Sequence, residues 1–156
     1  MPGEGPLQAA LMQVHVELDA LFLVHQRALL DRDVPRARDA FARFRDVLLR
    51  HADDEEAVVL PLYAACGGDA TDSPSAQFRL EHDKLRRFLD ELGPRLDALT
   101  PPIDDSELLA ILDREGWFKN LLLHHDLRER NALYRLLSSL CDEAAQRAAL
   151  ARIARR

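Results

Sequence analysis

Histidine and glutamate occur together at the same spacing in two parts of this chain. His51 is followed four residues later by Glu55, and His125 is followed four residues later by Glu129. Residues four apart lie on the same face of an α-helix. Imidazole nitrogens and carboxylate oxygens are ligands that suit iron, manganese and zinc. The two pairs are therefore candidate metal-binding positions.

A single histidine precedes each of these pairs. His15 comes before His51, and His82 comes before His125, at separations of 36 and 43 residues. The chain therefore contains the same order twice, a lone histidine and then a histidine followed by a glutamate. Together the two halves supply four imidazoles and two carboxylates.

Four long segments space their apolar residues three and four apart, which predicts four amphipathic helices that share a core. The breaks between them, in DRDVP, CGGDATDSPS and TPPIDDS, contain proline, glycine and small polar residues. Connections of this kind favour an antiparallel up-down-up-down four-helix bundle. We predict an all-α fold in which residues 1–156 form one domain, with a bundle core of about 7–139 and a short C-terminal helix of about 141–155.

The six histidine and glutamate residues all fall on core-facing positions of these helices. His15 and His51 lie at similar distances from the first turn, near Arg32, so we expect them to face each other. Any one of the six is usually explained as a hydrogen-bonded core residue or a surface pair. Six such groups buried together without partners would cost several kcal/mol each. A bound cation offsets that cost, and two ions that share the carboxylates suit six ligands better than one.

The composition is typical of a globular protein, with 47% hydrophobic and 31% charged residues. A formal net charge of -6 argues against binding to nucleic acid and to an anionic membrane surface. The N-terminal residues lack the features of a secretion signal, and we expect no segment that spans a membrane. We therefore predict a cytoplasmic protein. Cys66 and Cys141 match no metal-binding spacing, and we expect two unpaired thiols.

The doubled pattern and its flanking residues resemble the hemerythrin-like, HHE cation-binding family. The similarity runs from His15 through HADDEEAVVLPLY and EHDKLRRFL to HHDLRERNALYRLL, and it covers about residues 10 to 137. It implies a four-helix bundle around a non-haem di-iron centre, two iron ions joined by an oxo or hydroxo bridge, with Glu55 and Glu129 also bridging. The ligands that it implies are His15, His51, Glu55, His82, His125 and Glu129.

The chain departs from the members of this family that carry oxygen. Those proteins use a fifth histidine and an aspartate, whereas both acids of this chain are glutamates and no further histidine has a matching position. The resemblance therefore implies a protein that binds O2, nitric oxide or peroxide for sensing, stress response or iron handling rather than for bulk oxygen transport. We expect a binding protein rather than an enzyme, with an unidentified protein partner to receive any signal.

Two further histidines have other assignments. His25 follows His15 by ten residues, or roughly 15 Å along a helix, and is predicted to be a core residue near the end of the bundle. His124 has Arg128 rather than an acid four residues later, so we assign it to the flank of the site. The alternative is that His124 exchanges roles with His125.

Residues beside the predicted ligands are positioned to support them. Glu56 and Glu81 adjoin ligand positions and are candidates to accept hydrogen bonds from imidazole N–H groups, although solvated glutamates explain them as well. Tyr63 and Tyr134 follow the two pairs, and they either cap the site or pack in the core. Apolar side chains are expected to wall the cavity, namely Phe22, Phe44, Phe78, Phe118 and Leu122.

Other helical proteins are less consistent with the sequence. A ferritin-like oxidase uses Glu-x-x-His on two helices and a zinc protease uses His-Glu-x-x-His, and the chain contains neither. A histidine phosphotransfer bundle requires an exposed histidine, whereas His82 lies on a core-facing position between Phe78 and Leu85. The remaining alternative is a metal-free or zinc-binding helical interaction domain, in which truncation of the six residues would be neutral or stabilising.

Overall fold

Helices account for almost all of the computed structural model, which describes residues 3–156. None of these described residues forms a β-strand, and the predicted all-α fold is confirmed. Two π-helical segments, Glu55–Val59 and Glu129–Tyr134, continue α2 into α3 and α5 into α6, and a 3₁₀ turn, Gly68–Ala70, follows α3. The α-helices of the described chain are α1 Pro6–Leu30, α2 Val34–Asp54, α3 Leu60–Ala65, α4 Ser75–Asp97, α5 Asp105–Arg128, α6 Arg135–Leu140 and α7 Glu143–Ala154.

Capping side chains determine where three of these helices begin. Asp33 accepts a hydrogen bond from the backbone N–H of Arg36 at the start of α2. Asp104 and Glu107 form a reciprocal capping box at the start of α5, and Asp142 caps α7. These side chains satisfy N–H groups that the first turn of a helix leaves unpaired. The helix starts are therefore fixed by local sequence.

The four long helices, α1, α2, α4 and α5, surround a common interior. α1 packs against α2 and α5, and α4 packs against the same two helices. Polar side chains also join neighbours: Arg45 of α2 contacts Asp90 of α4 at 3.0 Å, and Arg114 of α5 donates to Glu91 of α4 at 2.7 Å. The C-terminal helix α7 packs back onto α1.

Buried apolar side chains form two clusters rather than one continuous core. The large cluster lies toward the α1–α2 and α4–α5 connections, and the small cluster lies toward α3, α6 and α7. On α1, His15 lies between Leu11 of the small cluster and Leu18 of the large one. On α4, His82 lies between the two clusters in the same way. The predicted ligands therefore occupy a polar layer with apolar packing on both sides.

The two cysteines are joined, so the expectation of unpaired thiols was wrong. Cys66, at the end of α3, forms a disulfide with Cys141, at the end of α6, and their Cα atoms lie 5.9 Å apart. The cysteines are 75 residues apart in the sequence. Their contact depends on how α3 and α6 meet, which the spacing of two isolated cysteines does not reveal.

The length and composition of α1 meet the criteria for a helix that could cross a membrane, with a mean hydropathy of 1.4 over 18 residues. The expectation that no segment spans a membrane stays a prediction. Core helices of soluble proteins meet the same criteria. One face of α1 packs in the interior of this structure, where it carries His15 and His25. The finding by itself therefore assigns no membrane to α1.

Candidate metal centre

The predicted ligands meet in one buried region between the two apolar clusters. Their exposed fractions lie between 0% and 5%. The structure thus brings together side chains from four helices and from the first residue of each π-helical segment. In chain order these side chains are His15, His51, Glu55, His82, His125 and Glu129.

Four of these side chains form one group of closely spaced donor atoms. Glu55, His82, His125 and Glu129 each place a ligand atom within 4.8 Å of the others. His125 Nε2 lies 2.7 Å from Glu129 Oε1, and His82 Nε2 lies 3.2 Å from Glu55 Oε2. Two imidazole nitrogens with two carboxylate oxygens are a donor set for a first-row transition metal.

A second group shares one member with the first. His15, His51 and Glu129 also place ligand atoms within 4.8 Å of one another. His15 Nε2 lies 3.1 Å from His51 Nε2 and 3.1 Å from Glu129 Oε2. The expectation that His15 and His51 face each other is confirmed. Glu129 therefore belongs to both groups.

Both glutamates divide their carboxylate oxygens between the two histidine pairs. Glu55 Oε1 lies 3.5 Å from His51 Nε2, and Glu55 Oε2 lies 3.2 Å from His82 Nε2. Glu129 is arranged in the same way, with Oε1 toward one histidine pair and Oε2 toward the other. A carboxylate in this orientation can bind two cations at once.

Atoms that face the centre of the first group lack hydrogen-bond partners. Among the described residues, His82 Nε2, His125 Nε2, Glu55 Oε2 and Glu129 Oε1 are buried and have no partner in hydrogen-bond geometry, although the histidine nitrogens lie 2.7 to 3.2 Å from the carboxylate oxygens. Buried polar atoms of native proteins are nearly always paired, and an unpaired atom costs about 1–3 kcal/mol. A cation among these four atoms would satisfy all of them. The His and Glu cluster therefore fits a metal site.

The carboxylates of the centre raise the pKa values of the neighbouring histidines and so favour positive charge there. Burial lowers the pKa of His82, but Glu129 and Glu55 outweigh burial and raise it to about 9. Burial likewise opposes protonation of His125, whose pKa Glu129 nevertheless raises to about 10. Burial would raise the pKa of Glu129, but the histidines hold it well below its usual value. An imidazole must lose its extra proton before it can bind a metal. A metal cation can therefore take the place of these protons as the positive charge beside the carboxylates.

Glutamates outside the centre orient two of the histidines. His82 Nδ1 donates to Glu56 Oε1 at 2.9 Å, and His125 Nδ1 donates to Glu81 Oε2 at 2.8 Å. Arg86 also donates to Glu56 Oε1 at 2.8 Å. Burial would raise the pKa of Glu56, but Arg86 and His82 lower it below its usual value. A proton held on Nδ1 leaves Nε2 free to face the centre.

Asp126 supports His15, and the sequence did not identify it. Its carboxylate lies against His15 Nδ1 and pairs with Arg130 at 2.9 Å. Burial lowers the pKa of His15, but Asp126 and Glu129 outweigh burial and raise it to about 9. No spacing rule marks Asp126, because it lies on α5 and acts on α1 across a helix interface. His51 Nδ1 has no hydrogen-bond partner in the described structure.

Tyr134 reaches the centre, whereas Tyr63 does not. The Tyr134 hydroxyl donates to Glu55 Oε1 at 2.5 Å and lies 3.0 Å from His15 Nε2. Burial and the neighbouring carboxylates hold the pKa of Tyr134 well above its usual value, so the phenol keeps its proton. The Tyr63 hydroxyl donates instead to the carbonyl of Ser73 at 2.9 Å. The two tyrosines follow their glutamates at different distances, five and eight residues, which places them differently.

Each glutamate of the centre begins a π-helical segment. In the first segment the backbone N–H of Leu60 donates to the carbonyl of Glu55, five residues earlier instead of four. The sequence predicted uninterrupted helices here, so the π-helical turns correct that expectation. Val58 and Val59 at the end of this wider turn, and Leu60 directly after it, are all buried. Such turns are rare in proteins overall, and those that occur are often at functional sites.

The other two histidines lie away from the centre. His25 is fully buried, contacts Glu115 and hydrogen-bonds the carbonyl of Ala37 at 2.8 Å. It is therefore a core residue, as predicted, although its partner Glu115 was not identified. His124 is exposed, and its neighbour His125 is the residue that faces the centre.

A cleft of about 470 Å³ reaches the centre between α1 and α5. Its lining includes His15, His51 and Glu129. Leu122 lines the cleft as expected, whereas the predicted phenylalanines pack in the two apolar clusters. Charged residues such as Asp19, Lys119 and Arg130 also line the cleft, but most of its surface is apolar, and its leucines are Leu18, Leu48, Leu122, Leu123 and Leu127.

The fold and the centre define an all-helical protein with a buried histidine and glutamate cluster that fits a metal. The sequence matches the family model of the hemerythrin HHE cation binding domain over residues 7–137, and the chain belongs to this family. No curated protein and no solved structure matches the chain. Family membership and the geometry agree that this cluster is suited to a cation, with iron as the expected metal.

Proposed function

We propose that this protein is a hemerythrin-like non-haem di-iron protein that binds a small ligand at the centre of its helices. The observation that carries the proposal is the division of each glutamate carboxylate between two histidine pairs. This arrangement suits two ions that share both carboxylates. The proposed ligands are His15 and His51 for one ion, His82 and His125 for the other, and Glu55 and Glu129 for both.

We also propose that α1, α2, α4 and α5 form an antiparallel up-down-up-down bundle within a single domain of residues 1–156. Contacts between α2 and α4 support opposite directions. Arg38 near the start of α2 donates to the carbonyl of Leu96 near the end of α4, at 3.0 Å. Glu56, just after the end of α2, contacts His82 in the first half of α4.

The side chains around the centre prepare it for a small neutral ligand. When bound, two iron ions supply an open coordination position and a reversible change in oxidation state. The leucine-lined cleft gives O2, nitric oxide or peroxide a route to His15 and His51. The apolar clusters exclude water on both sides of the centre. Tyr134 keeps its proton and can donate a hydrogen bond within this space.

The proposed role is sensing, stress response or iron handling rather than oxygen transport. Both acids of the centre are glutamates, and no fifth histidine reaches it in the described structure, since His25 is in the large cluster and His124 is exposed. We propose a binding protein rather than an enzyme, which passes its signal to an unidentified protein partner.

We also propose that the protein is cytoplasmic. The Cys66–Cys141 disulfide weighs against this location, because structural disulfides are rare in reducing compartments. Alkylation of free thiols in intact cells, followed by fractionation, tests both points together. Cytoplasmic protein with two alkylated cysteines supports the location, and a disulfide-bonded protein outside the cytoplasm contradicts it.

Metal analysis and visible spectroscopy of protein purified in air test the di-iron centre. We expect about two irons per chain, as in other di-iron helical bundles. Near-ultraviolet bands should disappear on reduction with dithionite and should change when nitric oxide is added to the reduced protein. Protein without iron, or with one tightly bound zinc and a featureless spectrum, would contradict the proposal and favour the helical interaction domain.

A further inference from the structure

α1 carries apolar residues on its outer face as well as on its inner face. Val16, Leu23 and Leu30 are 57%, 51% and 62% exposed. Each lies seven positions after the one before it, so the three form one row along the helix. A helix that packs on one side only normally has a polar outer side. The row therefore indicates that another surface covers α1.

Charged residues beside this row are few and have a particular arrangement. Asp19 and Arg27 are exposed, as is Glu17, and α1 has no other Asp, Glu, Lys or Arg within Pro6–Leu30. Asp19 lies four residues before Leu23, and Arg27 lies four residues after it. Opposite charges are thus placed symmetrically about the middle of the apolar row.

We propose that the outer face of α1 is the interface of a homodimer, in which α1 packs antiparallel to α1 of a second copy about a two-fold axis at Leu23. In this register Leu23 meets Leu23 of the second copy. Val16 faces Leu30, since both lie seven residues from Leu23. Asp19 lies at the same height as Arg27 of the second copy, on the other flank of the interface, and the two-fold axis repeats each of these relations.

The charges favour this partner and this direction over the alternatives. A parallel pairing of the same helices would bring Asp19 near Asp19 and Arg27 near Arg27, which is repulsive. Helices that lie on membranes have a polar face rich in Lys and Arg, whereas α1 has one basic residue and two acidic ones. A second copy is therefore the occupant that fits the surface.

The neighbouring surface of α5 extends the apolar area. Leu123 and Leu127 are 53% and 41% exposed, and with Asp19 they line the cleft that reaches the candidate metal centre. Because Asp19 lies beside the apolar row of α1, the dimer would place the second copy next to the opening of the cleft. The inference uses no residue of the centre, so it stands or falls separately from the proposed function.

Sedimentation equilibrium of the full chain over a range of concentrations tests the dimer. We expect a dimer, and we expect Leu23→Asp to weaken it at least ~100-fold, because two carboxylates then meet on the axis. Leu80→Asp is the matched control, since Leu80 is 61% exposed on α4, and it should leave the dimer unchanged. A monomeric native chain, or a Leu23→Asp variant that dimerises normally, would overturn the proposal.

Charge reversal tests the register of the two helices. Asp19→Arg or Arg27→Asp alone should weaken the dimer, because each places two pairs of like charges at the same heights in the interface. The double variant should regain native affinity, since opposite charges lie at the same heights again. A double variant no stronger than either single variant would overturn the antiparallel register.

Cross-linking gives a second test that does not depend on affinity. Leu23→Cys should form a disulfide-linked dimer under mild oxidation. Leu30→Cys should not, because the two copies of residue 30 would lie 14 positions, or roughly 21 Å, apart along the helices. Equal cross-linking of both variants, or of neither, would contradict the proposed axis.

Vesicles of neutral and of anionic lipid separate the dimer from membrane binding. We expect the protein to stay dimeric and to remain in the supernatant when either kind of vesicle is sedimented. A chain that is monomeric without lipid, and that binds vesicles unless Leu23 is changed to Asp, would show that the outer face of α1 binds lipid. That result would overturn the homodimer.

Discussion

Imidazole orientation at the candidate centre depends on acidic residues outside it. Glu81 accepts a hydrogen bond from His125 Nδ1 and pairs with Arg128 at 2.7 Å. The carboxylate holds a proton on Nδ1, and Nε2 then presents its lone pair to the centre. Glu81 can therefore be changed without removing a proposed ligand.

Glu81→Gln should weaken metal binding about 10- to 100-fold, because the amide polarises and orients His125 less well than the carboxylate does. Competition with a chromophoric chelator measures the affinity. Glu91→Gln is the matched control, since Glu91 lies on the same helix and pairs with Arg114 away from the centre. Equal losses in both variants would show that the effect is one of net charge rather than of orientation.

Tyr134 provides a second test at the residue scale. Tyr134→Phe should change the absorption bands of the iron-loaded protein and leave its iron content intact, because the hydroxyl contacts Glu55 and His15 without being a proposed ligand. Tyr63→Phe should change neither quantity, since that hydroxyl bonds Ser73. Loss of iron from Tyr134→Phe would show instead that the phenol is a ligand.

At the scale of the elements, a buried pair outside the centre joins three helices. His25 of α1 contacts Glu115 of α5 and hydrogen-bonds the carbonyl of Ala37 in α2. Gln26 also donates to Glu115 Oε2 at 3.0 Å. His25 and Glu115 are both 0% exposed, so neither can exchange its partner for water. The pair therefore holds these helices in register near the α1–α2 turn.

Glu115→Ala should lower the free energy of unfolding by about 1–3 kcal/mol, since one ring nitrogen of His25 is then buried without a hydrogen-bond partner. Urea denaturation measures the change, and iron content should stay the same because the pair lies outside the centre. Asp90→Ala removes an exposed ion pair with Arg45 and should cost less than about 1 kcal/mol. Comparable losses in the two variants would contradict a special role for the buried pair.

The disulfide connects the ends of α3 and α6, the helices that follow the two π-helical segments. Cys66→Ser should lower the free energy of unfolding by about 2–4 kcal/mol, because the cross-link to Cys141 restricts the unfolded chain. The native chain treated with a reductant should match the variant in urea denaturation. Two free thiols in the unreduced protein, counted by alkylation and mass measurement, would contradict the disulfide.

At the scale of the whole molecule, apolar clusters on both sides of the centre should hold the fold when a ligand is removed. His125→Ala should reduce the bound metal while the helix content in circular dichroism stays close to that of the native chain. His124→Ala is the matched control, since the adjacent His124 is exposed, and it should keep its metal. Full iron content in His125→Ala would contradict the ligand assignment.

The spacing of apolar residues predicted the long helices and their inner faces. This prediction succeeded because the spacing within one helix determines which face of that helix is apolar. The same spacing placed His15, His51 and His82 on inner faces, and all three are buried. Whether they bind metal stays a prediction. The contribution of Asp126 could not be predicted in this way, because its partner lies on another helix. The π-helical turns were missed because the apolar pattern continues through them.

The sequence by itself determined the family, the helical class and the repeated order of histidines and glutamates. Only the tertiary structure decided that Asp126 lies against His15, that Tyr134 rather than Tyr63 reaches the centre, and that Cys66 meets Cys141. The physical reason is that 3.6 residues per turn fixes which residues share a helix face, a local property. Contacts between helices depend on their relative rotation and translation, and no short stretch of sequence specifies these.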